Sequence, residues 1–390
     1  HWYQAGQQAL QRSANPEAIG HLRKELEVLM TLPKSAERDR KEFALQTSLG
    51  PALMATKGYA APEVGEAYVR ARELCREVKE PTQVFTVTWG LWLHYNQRGE
   101  LETAQGLADE VLALAEGQAD PALRLQAHHA AWTTDWRLAK FSACREHMEQ
   151  GIALYDIDQH RSHAFLYGGH DPGVCCLTHG AMALWSLGYP DQAVEKADDA
   201  MALAERLSHP FSMVLARYYV AVVHQFRREA DCAQEPAEAM IALCTEQGFA
   251  QLSAQGAVMR GWAVAARGHT EEGIGEMQRG LTALRATGAG AHRPYYLALL
   301  AEACGHTGQA GEGLSLLAES LEAIRRGPGL EGSPPENGGP RLFDNMGRLE
   351  DLRLTLDRAG SGHQREAFGP NLGVADLHDR LLGGETHGWP

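Results

Sequence analysis

Histidine and cysteine are the residues of this sequence best suited to chemistry, since its 390 residues include 18 histidines and seven cysteines. Six of the histidines lie in two stretches, residues 128–147 and 160–170. Imidazoles grouped in this way could hold a transition metal, but a recognisable ligand set also needs a cysteine or a carboxylate at suitable spacing. No Cys-x-x-Cys pair occurs. The sequence therefore favours ordinary hydrogen-bonded histidines and reduced, buried thiols, and it predicts no metal.

Familiar catalytic motifs are absent from the sequence. It has no Gly-x-x-x-x-Gly-Lys-Ser/Thr loop to hold phosphates, no Gly-x-Ser-x-Gly nucleophile turn and no His-Glu-x-x-His zinc motif. The stretch closest to a phosphate loop, Gly50 to Gly58, has the wrong spacing and contains Pro51, which lacks a backbone donor. We therefore predict that the chain is not an enzyme and needs no cofactor.

Charge and hydropathy exclude two further classes of partner. Acidic residues outnumber basic ones by 50 to 36, so no basic surface is available for nucleic acid. No apolar run reaches the length of about 18 residues that a membrane span requires. The chain begins His-Trp-Tyr-Gln, without a signal peptide and inside amphipathic sequence. These features predict a fragment of a longer cytoplasmic protein.

A 40-residue repeat runs through the second half of the chain. Small residues recur 40 positions apart, each followed twelve positions later by another small residue. Small side chains recur where two helix backbones approach closely, so this spacing predicts stacked helical hairpins. The first set is Ala181, Ala221, Gly261 and Ala301, and the second is Ala193, Ala233, Gly273 and Gly313.

The second small residue of each hairpin defines the predicted architecture. Its positions are 18, 61, 104, 143, 193, 233, 273 and 313, which gives about eight helix pairs. We predict an all-α, tetratricopeptide-like superhelix over residues 1–326, with a period near 40 residues. One longer gap, Tyr155 to Gly173, predicts an ordered loop inserted between pairs three and four. Residues 327–390 are rich in Gly and Pro and predict an irregular tail.

Six stretches of the chain are similar to sequences of a known family: Arg12–Ala18, Leu49–Tyr59, Gly90–Trp92, Asp171–Val174, Leu184–Ala193 and His209–Ser212. They resemble the C-terminal helical-repeat region of bacterial adenylate/guanylate cyclase–ATPase fusion proteins. The resemblance implies that the array follows a class III cyclase and a signal-transduction-type ATPase, and serves as their sensor or scaffold arm. In similar regulators, such an array binds an inducer or a partner and relieves autoinhibition of the ATPase. The resemblance does not extend to the tail.

The repeat register places large aromatic and polar residues on one inner surface. In tetratricopeptide arrays, positions 2, 5, 9 and 12 of the first helix of each pair face the concave groove. Aromatic rings anchor binding sites because they supply a large contact area at low entropy cost. The alternative is that these rings pack between the helices. The candidate groove residues are Trp89, Asn96, His128, Trp132, Asp135, Trp185, Tyr218, Gln225, Trp262, Tyr295 and Glu302.

Together these observations predict a non-catalytic recognition module of a signalling protein. The expected partner is a protein, a peptide or a small-molecule inducer bound in the concave groove, and Asp135 and Glu302 suit a basic peptide or a polar ligand. A structural or self-associating scaffold without a dedicated ligand is the alternative, so a homo-oligomer also fits the sequence.

Overall fold

The computed structural model describes residues 1–12, 14–78, 80–116, 118, 120–325 and 356, and these residues contain helices and turns but no strand. None of the described helices combines the length and the apolar character needed to cross a membrane. The helices are α1 (Trp2–Gln11), α2 (Asn15–Met30), α3 (Ala36–Lys57), α4 (Pro62–Val78), α5 (Pro81–Arg98), α6 (Leu101–Glu116), α7 (Pro121–Arg137), α8 (Phe141–Leu154), α9 (Ile157–His160), α10 (His163–Leu166), α11 (Pro172–Ser186), α12 (Pro190–Leu207), α13 (Pro210–Phe226), α14 (Ala230–Gln247), α15 (Ala250–Ala266), α16 (Thr270–Ala286), α17 (Arg293–His306) and α18 (Ala310–Arg325).

The long helices form eight successive pairs, from α1 with α2 to α17 with α18. This arrangement confirms the predicted all-α, tetratricopeptide-like superhelix. The inserted segment lies between the fourth pair (α7, α8) and the fifth (α11, α12), not between the third and fourth. It also contains two short helices, α9 and α10, where a loop was expected. The predicted tail, residues 327–390, lies outside the described residues except for Leu356, which is buried beside Ala301 and Leu317.

Close backbone contact explains why small residues recur in each pair. An added Cβ at Gly273 would lie 2.4 Å from the carbonyl oxygen of Gly261, and one at Gly261 would lie 2.8 Å from the oxygen of Gly273. The turn between these helices contains Gly268 at φ +96°, a left-handed conformation that favours glycine. The two glycines therefore let α15 and α16 touch along their backbones.

The turn between α7 and α8 shifts the expected register by one residue. Its left-handed residue is Ala139, at φ 58°. The residue five positions later, Cys144, is fully buried, whereas Ala143 is only partly buried. Cys144 therefore occupies the position that the repeat spacing assigned to Ala143. Every inward position of α7 moves one residue towards the C-terminus.

The superhelix closes on itself, because early turns contact late helices. The amide of Tyr59, in the α3–α4 turn, donates to Gln251 Oε1 of α15 at 2.9 Å. At the end of α5, the carbonyl oxygen of Gln97 accepts bonds of 3.2 Å from the amides of Gly290 and Ala291. These contacts enclose an interior lined by the first helices of the pairs.

Candidate ligand-binding interior

The α7 residues expected in the groove face α8 instead. His128 Nδ1 lies 3.0 Å from His147 Nδ1, and Asp135 Oδ2 lies 3.8 Å from His147 Nε2. An added Cβ at Gly151 of α8 would lie 2.4 Å from the Trp132 ring. The one-residue register shift explains this placement. Burial raises the pKa of Asp135 to about 6, and its contact with His147 places this acid within the α7–α8 pair.

The residues that α7 presents to the interior are Gln126, His129, Thr133 and Trp136, all of which are buried. The ring centroid of His129 lies 5.3 Å from that of Trp89 in α5. These interior residues were missed because the expected register was anchored at Ala143. One signal could have found these residues. From the α5–α6 pair onwards, the buried small residue of the second helix lies five positions after the left-handed residue of the turn.

Four other predicted groove residues are buried in the core. Trp89 Nε1 donates to the carbonyl oxygen of Gln126 at 3.1 Å, and Asn96 is fully buried. The hydroxyls of Tyr218 and Tyr296 are 2.6 Å apart. Packing between helices accounts for the burial of these side chains. Contact of any of them with a ligand stays a prediction, as it does for Trp262, which is 4% exposed.

The structure brings three other predicted residues, Trp185, Gln225 and Tyr295, together at the edge of the interior. Phe226, which was not predicted, lies between the two rings. The ring centroids of Trp185 and Phe226 are 5.5 Å apart, and those of Phe226 and Tyr295 are 5.8 Å apart. Tyr295 donates to Gln225 Oε1 at 2.6 Å. All three rings are only partly buried. We call Trp185, Phe226 and Tyr295 the aromatic strip, which crosses α11, α13 and α17.

The acid beside the aromatic strip is already paired. Glu302 forms a 2.7 Å ion pair with Arg228, the left-handed residue of the α13–α14 turn. A basic ligand would have to compete with this arginine for the carboxylate. The surroundings of the strip thus give less support to a cationic partner than the sequence suggested.

A buried arginine lies at the end of α7, near Tyr296, whose ring centroid is 5.3 Å from that of Tyr295 in the aromatic strip. Arg137 is 6% exposed, yet it forms no ion pair with any acid in the described part of the chain. Burial lowers the pKa of its guanidinium, and the hydroxyls of Tyr219, Tyr218 and Tyr296 are the main groups that act against this effect. Its Cζ lies 6.0 Å from the Trp136 ring centroid. Arginine stays charged in proteins, so the interior contains an uncompensated positive charge.

Further donors around this charge also lack partners. Among the described residues, the buried nitrogens without a hydrogen bond include Arg137 Nε, Trp136 Nε1 and His292 Nε2. The centroids of the Trp136 and His292 rings are 6.5 Å apart. Gln255 Nε2 lies 3.4 Å from His292 Nδ1 and donates to it, so the proton of this ring is on Nε2. The group thus offers hydrogen-bond donors and a positive charge, the complement of an anion.

A small cleft reaches this group from the α16–α17 side. It is lined by Gln97, Gln255, His292 and Tyr296, among others, and its free volume of about 10 Å³ suffices for roughly one water molecule. A larger ligand would therefore need the contact between the α5–α6 turn and the α16–α17 loop to open.

Comparisons with known proteins support the fold and leave the chemistry open. No protein-family model matches the chain. An uncharacterized protein of Rhizobium meliloti (strain 1021) is 27% identical over 373 residues, which are 95% of this chain and 35% of that protein. The chain therefore spans about a third of the length of this relative.

Two solved structures illustrate the likeness. The crystal structure of a Rap protein complexed with competence and sporulation factor superposes with a TM-score of 0.57 at 10% identity, covering 94% of this chain and 97% of that one. A signal transduction ATPase with a tetratricopeptide repeat sensor, from Pyrococcus horikoshii, gives 0.48 at 12% identity, covering 96% and 54%. The first likeness shows a tetratricopeptide-like repeat fold, and no catalytic family is indicated.

Proposed function

We propose that this chain is a non-catalytic sensor arm of a larger cytoplasmic signalling protein of the cyclase–ATPase type, and that its interior binds a ligand through an anionic group. The observation that carries this proposal is the buried, unpaired guanidinium of Arg137. An uncompensated charge in a protein interior costs several kcal/mol, and natural proteins normally pair it. A bound carboxylate would supply the missing partner.

The surrounding donors favour a carboxylate on a peptide or small molecule. Arg137 presents a planar fork that matches two carboxylate oxygens, and Trp136 Nε1 and His292 Nε2 are further donors without partners. The aromatic strip next to this group offers apolar area for the rest of the ligand. The related Rap fold was solved in complex with competence and sporulation factor. That precedent supports occupancy of such an array by a second molecule.

Ligand binding would be coupled to signalling through the closure of the superhelix. The contacts of Gln97 with the α16–α17 loop hold the early and late repeats together, and the cleft beside His292 lies at this contact. A ligand that binds the opened state more tightly shifts the population towards it, and attached domains would sense the change. This coupling is what a sensor arm requires.

Peptide capture tests the proposal. We would pass a random pentapeptide library with free C-termini, and the same library amidated, over the immobilised chain and identify the bound peptides by mass spectrometry. We expect retention of free-carboxylate peptides only, and its loss in Arg137→Met. Arg124→Met, which changes an exposed arginine of the same helix, is the matched control. Equal retention of both libraries, or unchanged retention by Arg137→Met, would contradict the proposal.

Two further variants separate recognition from stability. Arg137→Lys keeps the charge and loses the planar fork, so we expect weaker capture with an unchanged circular dichroism spectrum. Trp185→Ala removes a partly exposed ring of the aromatic strip and should lower peptide retention without unfolding the chain. If both variants fold and capture peptides as the wild type does, the interior and the strip are not the binding site.

A structural or self-associating scaffold is the second candidate function. The closed superhelix and its filled interior favour it, because Trp89, Tyr218 and Trp262 already pack against neighbours. Sedimentation over a hundredfold concentration range distinguishes the two. A concentration-dependent dimer together with no peptide capture would favour the scaffold, and a monomer that captures peptides would favour the sensor.

A further inference from the structure

Three buried side chains with metal-binding atoms meet inside the superhelix. They are His129 of α7, His170 of the segment before α11, and Cys175 of α11, with exposures of 2%, 5% and 3%. Their ligand atoms all lie within 4.8 Å of one another. We propose that these residues bind one thiophilic metal ion, Zn²⁺ or Cu⁺. This inference is independent of the function proposed above, since Arg137 is not one of the ligands.

The distances between these atoms suit a metal ion of that size. His129 Nε2 lies 3.3 Å from His170 Nε2 and 3.0 Å from Cys175 Sγ. Bonds of about 2.0–2.1 Å to nitrogen and 2.3 Å to sulfur place tetrahedral ligand atoms roughly 3.3–3.6 Å apart. The two separations from His129 Nε2 are therefore close to those in a metal site, and the third, between His170 Nε2 and Cys175 Sγ, is within 4.8 Å.

Hydrogen bonds to the far side of each ring direct both Nε2 lone pairs towards the same point. His170 Nδ1 lies 3.0 Å from the carbonyl oxygen of Gly168, and His129 Nδ1 lies 3.1 Å from Gln126 Oε1. Oxygens of this kind only accept, so they favour the tautomers with the ring proton on Nδ1; in these the Tyr59 hydroxyl, 3.1 Å from His170 Nδ1, also accepts, and each Nε2 is unprotonated. In these tautomers two lone pairs 3.3 Å apart repel each other, and the single thiol proton of Cys175 can satisfy only one of them. A metal ion satisfies both and the sulfur as well, and such hydrogen bonds are typical of metal-binding histidines.

The surroundings of the sulfur favour its thiolate form once a metal is bound. Trp132 Nε1 and Thr133 Oγ1 are buried and have no other hydrogen-bond partner among the described residues. The side chains of Trp132 and Thr133 both contact the Cys175 sulfur. A metal displaces the thiol proton. The resulting thiolate would then accept from both donors.

The donor set selects the class of metal. One thiolate with two imidazoles suits Zn²⁺ or Cu⁺, and the absence of a carboxylate from the cluster disfavours Mg²⁺ and Ca²⁺. A second group in the described residues, His224, Glu229 and Cys232, is partly exposed, and its carboxylate is already paired with His224 and with Arg227. That group is explained by these ion pairs and needs no metal.

Metal titration of the full chain tests the site. After removal of metals by EDTA under reducing conditions, Co²⁺ serves as a spectroscopic probe, while Zn²⁺ and Cu⁺ are titrated separately against competing chelators. We expect one equivalent of Co²⁺ to give a sulfur-to-metal charge-transfer band. The tighter of the other two ions identifies the metal. A wild-type chain that gives no such band and holds neither ion against the chelator would overturn the proposal.

Variants locate the site and guard against misfolding. Cys175→Ser should abolish the charge-transfer band and weaken binding at least a hundredfold. Cys176→Ser, at the adjacent buried thiol that contacts the Met148 carbonyl oxygen, is the matched control and should bind as the wild type does. Gln126→Leu removes the acceptor for His129 Nδ1 and should weaken binding about 10- to 100-fold, with Gln126→Glu restoring it. Equal loss in the Cys175 and Cys176 variants, or no effect of Gln126→Leu, would refute the assignment.

Discussion

The contact between α15 and α16 and the interior around α7 and α11 are equally buried but differ in composition. At the first, Gly261 and Gly273 bring two backbones together, and the polar side chains that join the two helices, Arg260 and Glu276, are paired with each other. In the second, buried histidines, a cysteine and Arg137 lie among aromatic rings, and several donors have no partner in the described chain. Close packing with satisfied polar groups stabilises a fold, whereas unsatisfied polar groups cost stability. This difference supports the proposal that the polar interior serves a ligand.

Acidification should have the largest effect on the stability of the chain, and it acts through the buried titratable groups of the polar interior. Burial lowers the pKa values of His163 and His209 to about 4, so the unfolded chain binds more protons between pH 4 and 6.5. Stability is then fully present above pH 6.5 and is lost as the pH falls towards 4. The raised pKa values of Asp135 and Asp171, each about 6, act in the opposite direction, because their folded forms retain protons that the unfolded chain releases.

More histidines have a lowered pKa than carboxyl groups have a raised one. We therefore expect the free energy of unfolding to fall by about 3 kcal/mol or more between pH 7 and pH 4.5. Urea unfolding followed by circular dichroism at a series of pH values measures it. A stability that is flat or rises on acidification would show that the interior histidines are not buried in neutral form.

A methyl group at the α15–α16 contact should have the next largest effect. Gly273→Ala places a Cβ against the Gly261 carbonyl oxygen and should cost about 3 kcal/mol, since the backbones must separate. Gly275→Ala, two residues along the same helix, meets only the end of the Arg279 side chain at 3.4 Å. It should stabilise the chain by about 0.5–1 kcal/mol. Denaturant midpoints of both variants provide the measurement, and similar values for the two would contradict the close-contact explanation.

Removal of the buried charge of Arg137 should raise the stability of the chain, whereas the Gly273 substitution lowers it. Arg137→Met replaces an unpaired guanidinium with an apolar chain of similar length, so we expect the ligand-free protein to gain about 1–2 kcal/mol. The exposed Arg124→Met should change stability by less than about 0.5 kcal/mol. Differential scanning calorimetry would reveal the sign. A marked loss of stability in Arg137→Met would mean that the arginine holds the fold together and is not kept for a ligand.

A satisfied polar contact in the same interior should have the smallest effect. Tyr296→Phe leaves the Tyr218 hydroxyl without its 2.6 Å partner and should cost about 1 kcal/mol. The double variant with Tyr218→Phe should recover most of this loss, because no hydroxyl is then left unpaired. A double-mutant cycle of unfolding free energies measures the coupling. Simple additivity would show that the two hydroxyls do not depend on each other.

Much of the fold and little of the candidate site could be predicted from the sequence. The spacing of Gly261 and Gly273 is a local signal, because contact between consecutive helices depends on residues a few turns apart. The register of α7 was wrong by one residue, since Ala143 and Cys144 are both small and only packing distinguishes them. That single shift exchanged Trp132 for Thr133 and Asp135 for Trp136 on the inner surface.

Residue spacing along the chain alone determines the helices, their pairing and the 40-residue period, because each of these depends on neighbours within one repeat. Only the closed tertiary structure decides which side chains share the interior. It brings His129 to His170 and Cys175, and Arg137 to Tyr218 and Tyr296, across separations of about 40 to 160 residues. The physical reason is that superhelical curvature sums small rotations over many repeats, so a side chain's distant neighbours are set by the whole array and not by its own repeat.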